Sequence, residues 1–419
     1  MIEAEKESRP LWQRIPLYLQ IAIALILAVV IGILLGAGQP NPTNITLIKN
    51  LAIPCILILK LLGALATPLI LLAVLHTFLT ASIPGTAGRR LATLLLTNTI
   101  VAILIGLLVA NVLQPGIWGQ ISTEGINATT INKLDPWALL QNSVPTSILQ
   151  PFVDNNVIQI IIIALIFGIV FRGIKEEQIK QGKTDYLPLE QIISTLFEAV
   201  IAIIKWVIAL VPLAVFGIVA KTIALEGFTP FKSLAAFIVA VLLALFLQAC
   251  YYLSRVKLGS WVSPKRFLLG GFDAFLTAFS TSSSTVTMPI TFRVLQEKIG
   301  LRESSASLGA LVGSNFNNDG TALYEAMAAL FIAQVLGQHL SIVQQLAVIL
   351  TSIVASVGAA GIPNAGLVTM TLVFSSVGLP TQYIALLITV DWFLDRCRTA
   401  INVMGDMTVS ALLDGKEKM

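Results

Sequence analysis

Apolar stretches long enough to cross a bilayer, about 20 residues each, recur along this chain and constrain its fold more than any other feature. They run Pro16–Gly36, Leu51–Leu79, Leu91–Leu113, Val157–Phe171, Ile192–Ile223 and Leu234–Leu253. In hydrocarbon every backbone N–H and C=O must find its partner within the protein, so such stretches become helices. The first follows a polar stretch of mixed charge (Glu3–Arg14), is too long for a signal-peptide core and carries no persuasive cleavage site. It reads as an uncleaved span. Of the 419 residues 56% are hydrophobic and 11% charged, against about 25% charged in an average globular protein. A disordered chain, a secreted disulfide scaffold and a cytosolic enzyme are excluded, and an all-α polytopic membrane protein in contact with membrane lipid remains. The formal net charge of +4 is scattered, which gives no support to nucleic-acid binding. Cys55, Cys250 and Cys397 lie far apart in apolar runs and read as small buried hydrophobes. His76 and His339 are too few for a histidine metal centre.

The Lys/Arg balance of the short loops sets the orientation. Arg89–Arg90, the Arg172–Lys183 segment and the Arg255–Arg266 segment carry the positive charge; the alternate loops, Gly38–Asn50, Pro115–Asp135 and Glu226–Phe231, carry little. The N-terminus and the basic loops are therefore expected in the cytoplasm. Keeping Arg293–Arg302 and Lys416–Lys418 on that side requires two segments that enter and leave on one face: Leu268–Leu295 from the cytoplasm and Ser341–Val377 from outside. Residues of about 264–337 and 341–415 then form an inverted repeat, each a Ser/Gly-rich hairpin followed by a helix with an Asp-bearing break. Such repeats are the recurrent architecture of secondary transporters, and their interruptions point at the binding site.

Three segments carry candidate chemistry. On the last helix, Asp391, Asp395, Arg398, Asn402 and Asp406 fall on one stripe at helical spacing. A charge at the centre of a lipid-facing helix costs at least ~2.5 kcal/mol, so this stripe faces protein. Asn315, Asn317, Asn318, Asp319, Gly320 and Thr321 make a helix-breaking island whose amide, carboxylate and freed backbone oxygens suit alkali cations, with Glu325 one turn beyond Thr321. The hairpin tips Thr281–Thr285 and Ala355–Gly366 offer hydroxyls, turn N–H groups and glycines. Counting Asp319, Glu325, Asp391, Asp395 and Asp406 against Arg396 and Arg398 leaves a formal deficit of three. Buried charge is costly unless paired, so the site is expected to recruit external cations, or a proton on Glu325. Arg398 suits a substrate carboxylate and an adjacent Asp suits an ammonium.

NDGTALYEAMAALFIAQ, the GIPNAG hairpin and DWFLDRCRTAINVMGD, in that order, resemble the dicarboxylate/amino acid:cation symporter family, which includes the glutamate transporters. The resemblance implies eight transmembrane helices plus two re-entrant hairpins, assembled as an elevator-type homotrimer in the inner (plasma) membrane with both termini cytoplasmic. Scaffold helices one and two would occupy 1–80, the third helix and an outer loop 81–135, scaffold helices four and five 136–230, and the transport domain 231–419. It further implies that Arg398 holds the acidic side chain of a glutamate or aspartate, with Thr321 and Gly366. Asp395 and Thr399 would hold the amino group, and Asn402 and Ser284 the main-chain carboxylate, with Ser282 and Ile362 lending carbonyls. Cotransported sodium would bind at Gly313, Asn315, Asn317, Asp319, Asn402 and Asp406, at Thr97 and Asn98, and at a further site of Ser356, Val357 and Ala359. Arg398 favours acidic over neutral substrates, and Glu325 and Arg396 resemble residues of proton- or potassium-coupled members. Asn318 stands where the family pattern has Met, Asn315 where Thr is common and Asn364 where a small Gly is found.

Two other classes need weighing. An intramembrane aspartyl hydrolase would use Asp391 or Asp395 with Asp406 and needs carboxylates sharing a proton, with no use for an arginine between them. A channel would not accumulate solute against a gradient. Within the family, a C4-dicarboxylate or neutral amino-acid carrier is the alternative to an acidic amino-acid carrier; an enzyme is not expected.

Overall fold

The computed structural model describes residues 15–80, 85–118, 144–154, 156–358 and 365–417, and among them every regular element is helical. In chain order the longer helices are α1 (Leu17–Leu34), α2 (Ile53–Thr80), α3 (Gly85–Leu113), α4 (Val157–Lys180), α5 (Leu187–Ile208), α6 (Val211–Glu226) and α7 (Thr229–Gly259). There follow α8 (Pro264–Thr281), α9 (Ser284–Val294), α10 (Asp319–Val335), α11 (Ile342–Gly358), α12 (Ala365–Ser376) and α13 (Ile384–Asp414). Among the described residues, five helical stretches are long and apolar enough to cross a membrane: Leu17–Leu34, Pro42–Thr80, Gly88–Ile117, Leu187–Ile208 and Thr229–Gly259. Large apolar side chains such as Leu34, Val112, Trp206 and Phe246 stand exposed on them. An isolated water-soluble chain rarely shows so much apolar surface. This is an integral membrane protein.

Two expectations are corrected. The single span Ile192–Ile223 is two helices, α5 and α6, which meet at Ala209–Leu210. Pro212 in the first turn of α6 fits the break: without an N–H it is well placed at the start of a helix and costly inside one. The helix of the second repeat, expected to hold a break, is continuous through Asp391, Asp395 and Asp406 as α13. A charged stripe does not unwind a helix whose polar face has partners to meet. In the first repeat the break is real. The chain passes through widened turns at Leu308–Val312 and one helical turn at Gly313–Phe316, then leaves helical geometry at Asn317 and Asn318 before α10 begins.

α1 packs on α6; α2 packs on α4, α5 and α6; α3 lies between α7 and α10. α13 is the axis of the C-terminal half, contacting α7, α8 and α10. α8 and α9 pack together, as do α11 and α12, so each predicted hairpin segment contains two helices packed on one another. At the first tip Ser282 takes a left-handed conformation (φ 53°) that ends α8, and the Ser283 hydroxyl accepts the Val286 N–H at 3.2 Å to start α9. The tip of the second pair, 359–364, lies outside the described residues. The C-terminal end of α13 is fastened by Arg302, whose Nε lies 2.9 Å from Asp414 Oδ1, and by the Trp261 indole, which donates to Oδ2 at 2.7 Å.

Candidate functional site

The α13 stripe is buried, as its spacing requires: Asp391, Asp395, Arg398, Thr399, Asn402 and Asp406 are all below 9% exposed. Arg398 is 0% exposed, and its Nη2 reaches Asp395 Oδ1 at 2.8 Å and Asp391 Oδ1 at 2.9 Å. Its guanidinium stacks 4.0 Å from the centroid of the Tyr324 ring on α10, a desolvated cation–π contact worth about 2 kcal/mol. Nε and Nη1 make no hydrogen bond within the protein, so the arginine keeps donor capacity. Gly366, in the first turn of α12, backs this group closely: a Cβ there would lie 3.2 Å from Nη1. Asp406 stands eleven or more residues along the continuous α13 from Asp395 and Asp391, about 16 Å or more at 1.5 Å per residue, so neither can share a proton with it as an aspartyl hydrolase requires.

One turn below, Asn402 meets the break ahead of α10. Its Oδ1 accepts the Gly320 N–H at 2.8 Å, and its Nδ2 faces Asn318 Oδ1 at 3.3 Å and Thr321 Oγ1 at 3.4 Å. Asn317 donates from Nδ2 to the Asn402 carbonyl at 3.1 Å, while Asn317 Oδ1 is buried without a partner. Gly313 lies against Asp406, where a Cβ would be 2.9 Å from Oδ1, itself without a hydrogen-bond donor. Asn317, Asn402, Asp406 and Gly313 thus lie close to one another. Such closeness needs Gly405: a Cβ there would come 2.2 Å from Asn317 Nδ2. Asn315 lies in the turn before the break; only its backbone is described.

Asp319 is fully buried and accepts hydroxyls on both oxygens, from Thr99 at 2.6 Å and from Tyr252. The hydroxyl on α3 that meets it is therefore that of Thr99. Thr97 is exposed and bonds back to the Thr93 carbonyl, so it is not brought to the cluster. Asn98 is buried, but its Oδ1 accepts from Arg255 Nη1 at 2.5 Å.

Asn318 is buried and tied at both ends: Nδ2 donates to the Ser356 carbonyl at 2.9 Å and Oδ1 faces Asn402. It joins the end of α11 to the break and to α13. Asn318→Leu, of similar volume, leaves that carbonyl unpaired at a cost of about 1–3 kcal/mol. We expect faster hydrogen exchange along Ile342–Gly358 with α10 unchanged; equal exchange in α11 would show that the amide holds nothing. Of the other residues predicted near this pair, Val357 contributes only described backbone, and Ala359 and Ile362 lie outside the described residues, as does Asn364.

The first hairpin tip reaches the break through Ser284, whose hydroxyl donates to the Ser314 carbonyl at 3.2 Å; Ser282 and Ser284 are buried. Thr399 is buried with its hydroxyl turned to the Asp395 carbonyl. Glu325 is 0% exposed, accepts the Thr369 hydroxyl of α12 on Oε1, and has no partner on Oε2. Arg396 corrects the charge count. It is half-buried outside the cluster, donating to the Phe279 and Ser280 carbonyls at the end of α8 and stacking on Tyr18 of α1. Five carboxylates remain with Arg398, and among the described residues no cationic side chain lies within ion-pair distance of Asp319, Glu325 or Asp406.

Tyr252, Tyr324 and Thr99 join the site without having been expected there, and Arg255, expected in a basic cytoplasmic segment, lies within α7 and donates to Asn98. The signal for two of them was present: Tyr252 and Arg255 sit, with Gln248, on one face of α7 at helical spacing, within and just beyond an apolar run.

A family model described as "Sodium:dicarboxylate symporter family" matches residues 17–416. An excitatory amino acid transporter of Caenorhabditis elegans is 33% identical over 452 residues, covering 96% of this chain and 88% of that protein. Excitatory amino acid transporter 4 of Mus musculus is 31% identical over 467 residues (92% and 81%), and excitatory amino acid transporter 3 of Oryctolagus cuniculus 28% over 454 (94% and 85%).

Proposed function

The chain belongs to the sodium:dicarboxylate symporter family, and we propose that it is a secondary active carrier of glutamate or aspartate driven by sodium. The observation that carries this reading is the imbalance at the core of the C-terminal half. One fully buried arginine with donors to spare pairs with Asp391 and Asp395, and among the described residues Asp319, Glu325 and Asp406 have no cationic side chain within ion-pair distance. Buried charge of that kind calls for neutralisation by visiting cations or by protons. Sodium is cargo here rather than a resident group. The oxygens of Asn317, Asn402, Asp406 and Gly313, and Asp319 with Asn98, Asn315 and, in place of the exposed Thr97, Thr99, are the proposed ligands, with Ser356, Val357 and Ala359 forming a further site.

Arg398 would take the substrate's side-chain carboxylate at the donors that Asp391 and Asp395 leave open, in the space kept by Gly366 and Thr321. Asp395 and Thr399 would receive the ammonium group, and Asn402, Ser284, Ser282 and Ile362 would flank the main-chain carboxylate. Loading cancels the buried charge, and α11–α12 close over it. The transport domain (third helix and residues 231–419) then crosses against a trimeric scaffold as a charge-compensated unit, from an inner membrane with both termini cytoplasmic. Half-loaded, it stalls; coupling is this difference in population. Glu325 adds a proton- or potassium-dependent return step, and Arg396, at the first hairpin tip, is the second candidate for it.

The family description also covers dicarboxylates, and Asp395 beside Arg398 separates the two readings, since a dicarboxylate has no ammonium to place there. Labelled aspartate uptake should fall with excess unlabelled glutamate and be untouched by succinate or serine. Competition by succinate with none by glutamate would make this a C4-dicarboxylate carrier, and competition by serine a neutral amino-acid carrier.

A further inference from the structure

Gln248 lies one turn before Tyr252 on α7, fully buried, and neither its Oε1 nor its Nε2 makes a hydrogen bond within the protein. Its amide neighbours the Tyr252 hydroxyl. A wholly buried amide with both ends unpaired is rare, because each polar atom gives up water for nothing. The Tyr252 hydroxyl in turn donates to Asp319 and lies beside Gly405, where a Cβ would approach it to 2.7 Å and Asn317 Nδ2 to 2.2 Å. Asn317 Oδ1 and Asn98 Nδ2 are likewise buried and unpartnered. Four elements therefore bring unsatisfied or readily reoriented polar groups to one place: α3 with Thr99 and Asn98, α7 with Gln248 and Tyr252, the break with Asn317 and Asp319, and α13 at Gly405.

We propose that the cation-binding apparatus extends onto α7, with Tyr252 as the positioning residue of Asp319 and Gln248 as an additional oxygen ligand for an alkali cation. Two hydroxyls fix the Asp319 carboxylate from outside the break, so a cation arriving beside it meets oriented oxygens. A hydroxyl can both donate and accept. The Tyr252 oxygen therefore has a lone pair available to a cation while its hydrogen stays on Asp319. Gln248 Oε1 is a neutral hard oxygen, which adds coordination without further negative charge.

The inference rests on the reading of this chain as a sodium-coupled carrier, and its test does not require transport. The melting temperature of the purified full-length protein is followed as NaCl replaces choline chloride at constant ionic strength. The wild type is stabilised progressively by sodium. Gln248→Leu removes two unpaired buried polar atoms, so its sodium-free melting temperature equals or exceeds that of the wild type. The sodium concentration giving half of the stabilisation nevertheless rises about fivefold, the loss of one ligand contact. Tyr252→Phe, which keeps the ring, gives a rise of similar size and changes the ratio of lithium to sodium affinity. A purely structural role for either residue would shift the sodium-free temperature and leave the half-point in place. Wild-type half-points in both variants overturn the proposal, and if Tyr252→Phe does not fold, Gln248→Leu decides alone. Normal sodium stabilisation without amino-acid uptake would sink the transport reading and leave the site on α7 standing.

Discussion

Arg398→Cys will abolish uptake of acidic amino acids, by about two orders of magnitude or more. Truncating one partner of a buried, charge-assisted hydrogen-bonded contact costs about 2–5 kcal/mol, and ~1.4 kcal/mol is a factor of ten. The arginine is irreplaceable here because it is the cation within ion-pair distance of Asp391 and Asp395. Without it both carboxylates must be protonated or repel each other. The shape left behind is a small slot against Tyr324 and Gly366, closer to what a neutral side chain needs than a charged one. We therefore expect serine or cysteine uptake to appear as aspartate uptake disappears. The check is labelled uptake for each substrate at equal amounts of folded protein, because breaking a buried ion pair can also cost stability. Unchanged aspartate uptake would remove Arg398 from the substrate site.

Asp319→Asn is the second large effect, and it acts on the cations. The two side chains match in volume, and the Thr99 and Tyr252 hydroxyls can each turn to donate or accept, so the cluster can repair its hydrogen bonds around the amide. What it cannot restore is the negative charge. At an effective dielectric constant of about 20, a unit charge ~4 Å from a cation contributes ~4 kcal/mol. Loss of even half of that raises the sodium requirement more than tenfold. Sodium-dependent stabilisation should be lost or moved to high concentration while the sodium-free protein stays folded. A wild-type sodium titration in this variant would take Asp319 out of the cation site.

Much of this site could be read from the sequence, because helical spacing fixes which residues share a face. The stripe from Asp391 to Asp406 is buried along its length, and the asparagine-rich island is a real interruption that meets it at Asn402. Spacing does not say which neighbour a face will meet. Thr97 and Thr99 are separated by about 200° of helix rotation, and only contact with Asp319 distinguishes them. Arg396 is one residue from Asp395, yet it turns to the end of α8 and to Tyr18, since adjacent helical positions face different neighbours. Tyr252 and Gln248 stayed hidden for a related reason. In an apolar span that ends in a basic loop, a tyrosine and a glutamine look like interfacial side chains until α3 and α10 pack against them. Polar residues in an apolar span do not by themselves unwind it, which is why α13 runs unbroken. Here the neighbouring break supplies the irregular backbone, and α13 supplies side chains to it.

The central claim is that carboxylates gathered in an apolar interior await sodium and an acidic amino acid to neutralise them. Its most direct test is uptake of labelled aspartate into sealed vesicles containing the purified protein, with sodium imposed outside, inside or on neither side. The account predicts saturable accumulation above the external concentration when sodium is outside alone, collapsing when the sodium gradient is dissipated. Equilibration without accumulation, or accumulation indifferent to sodium, would contradict it.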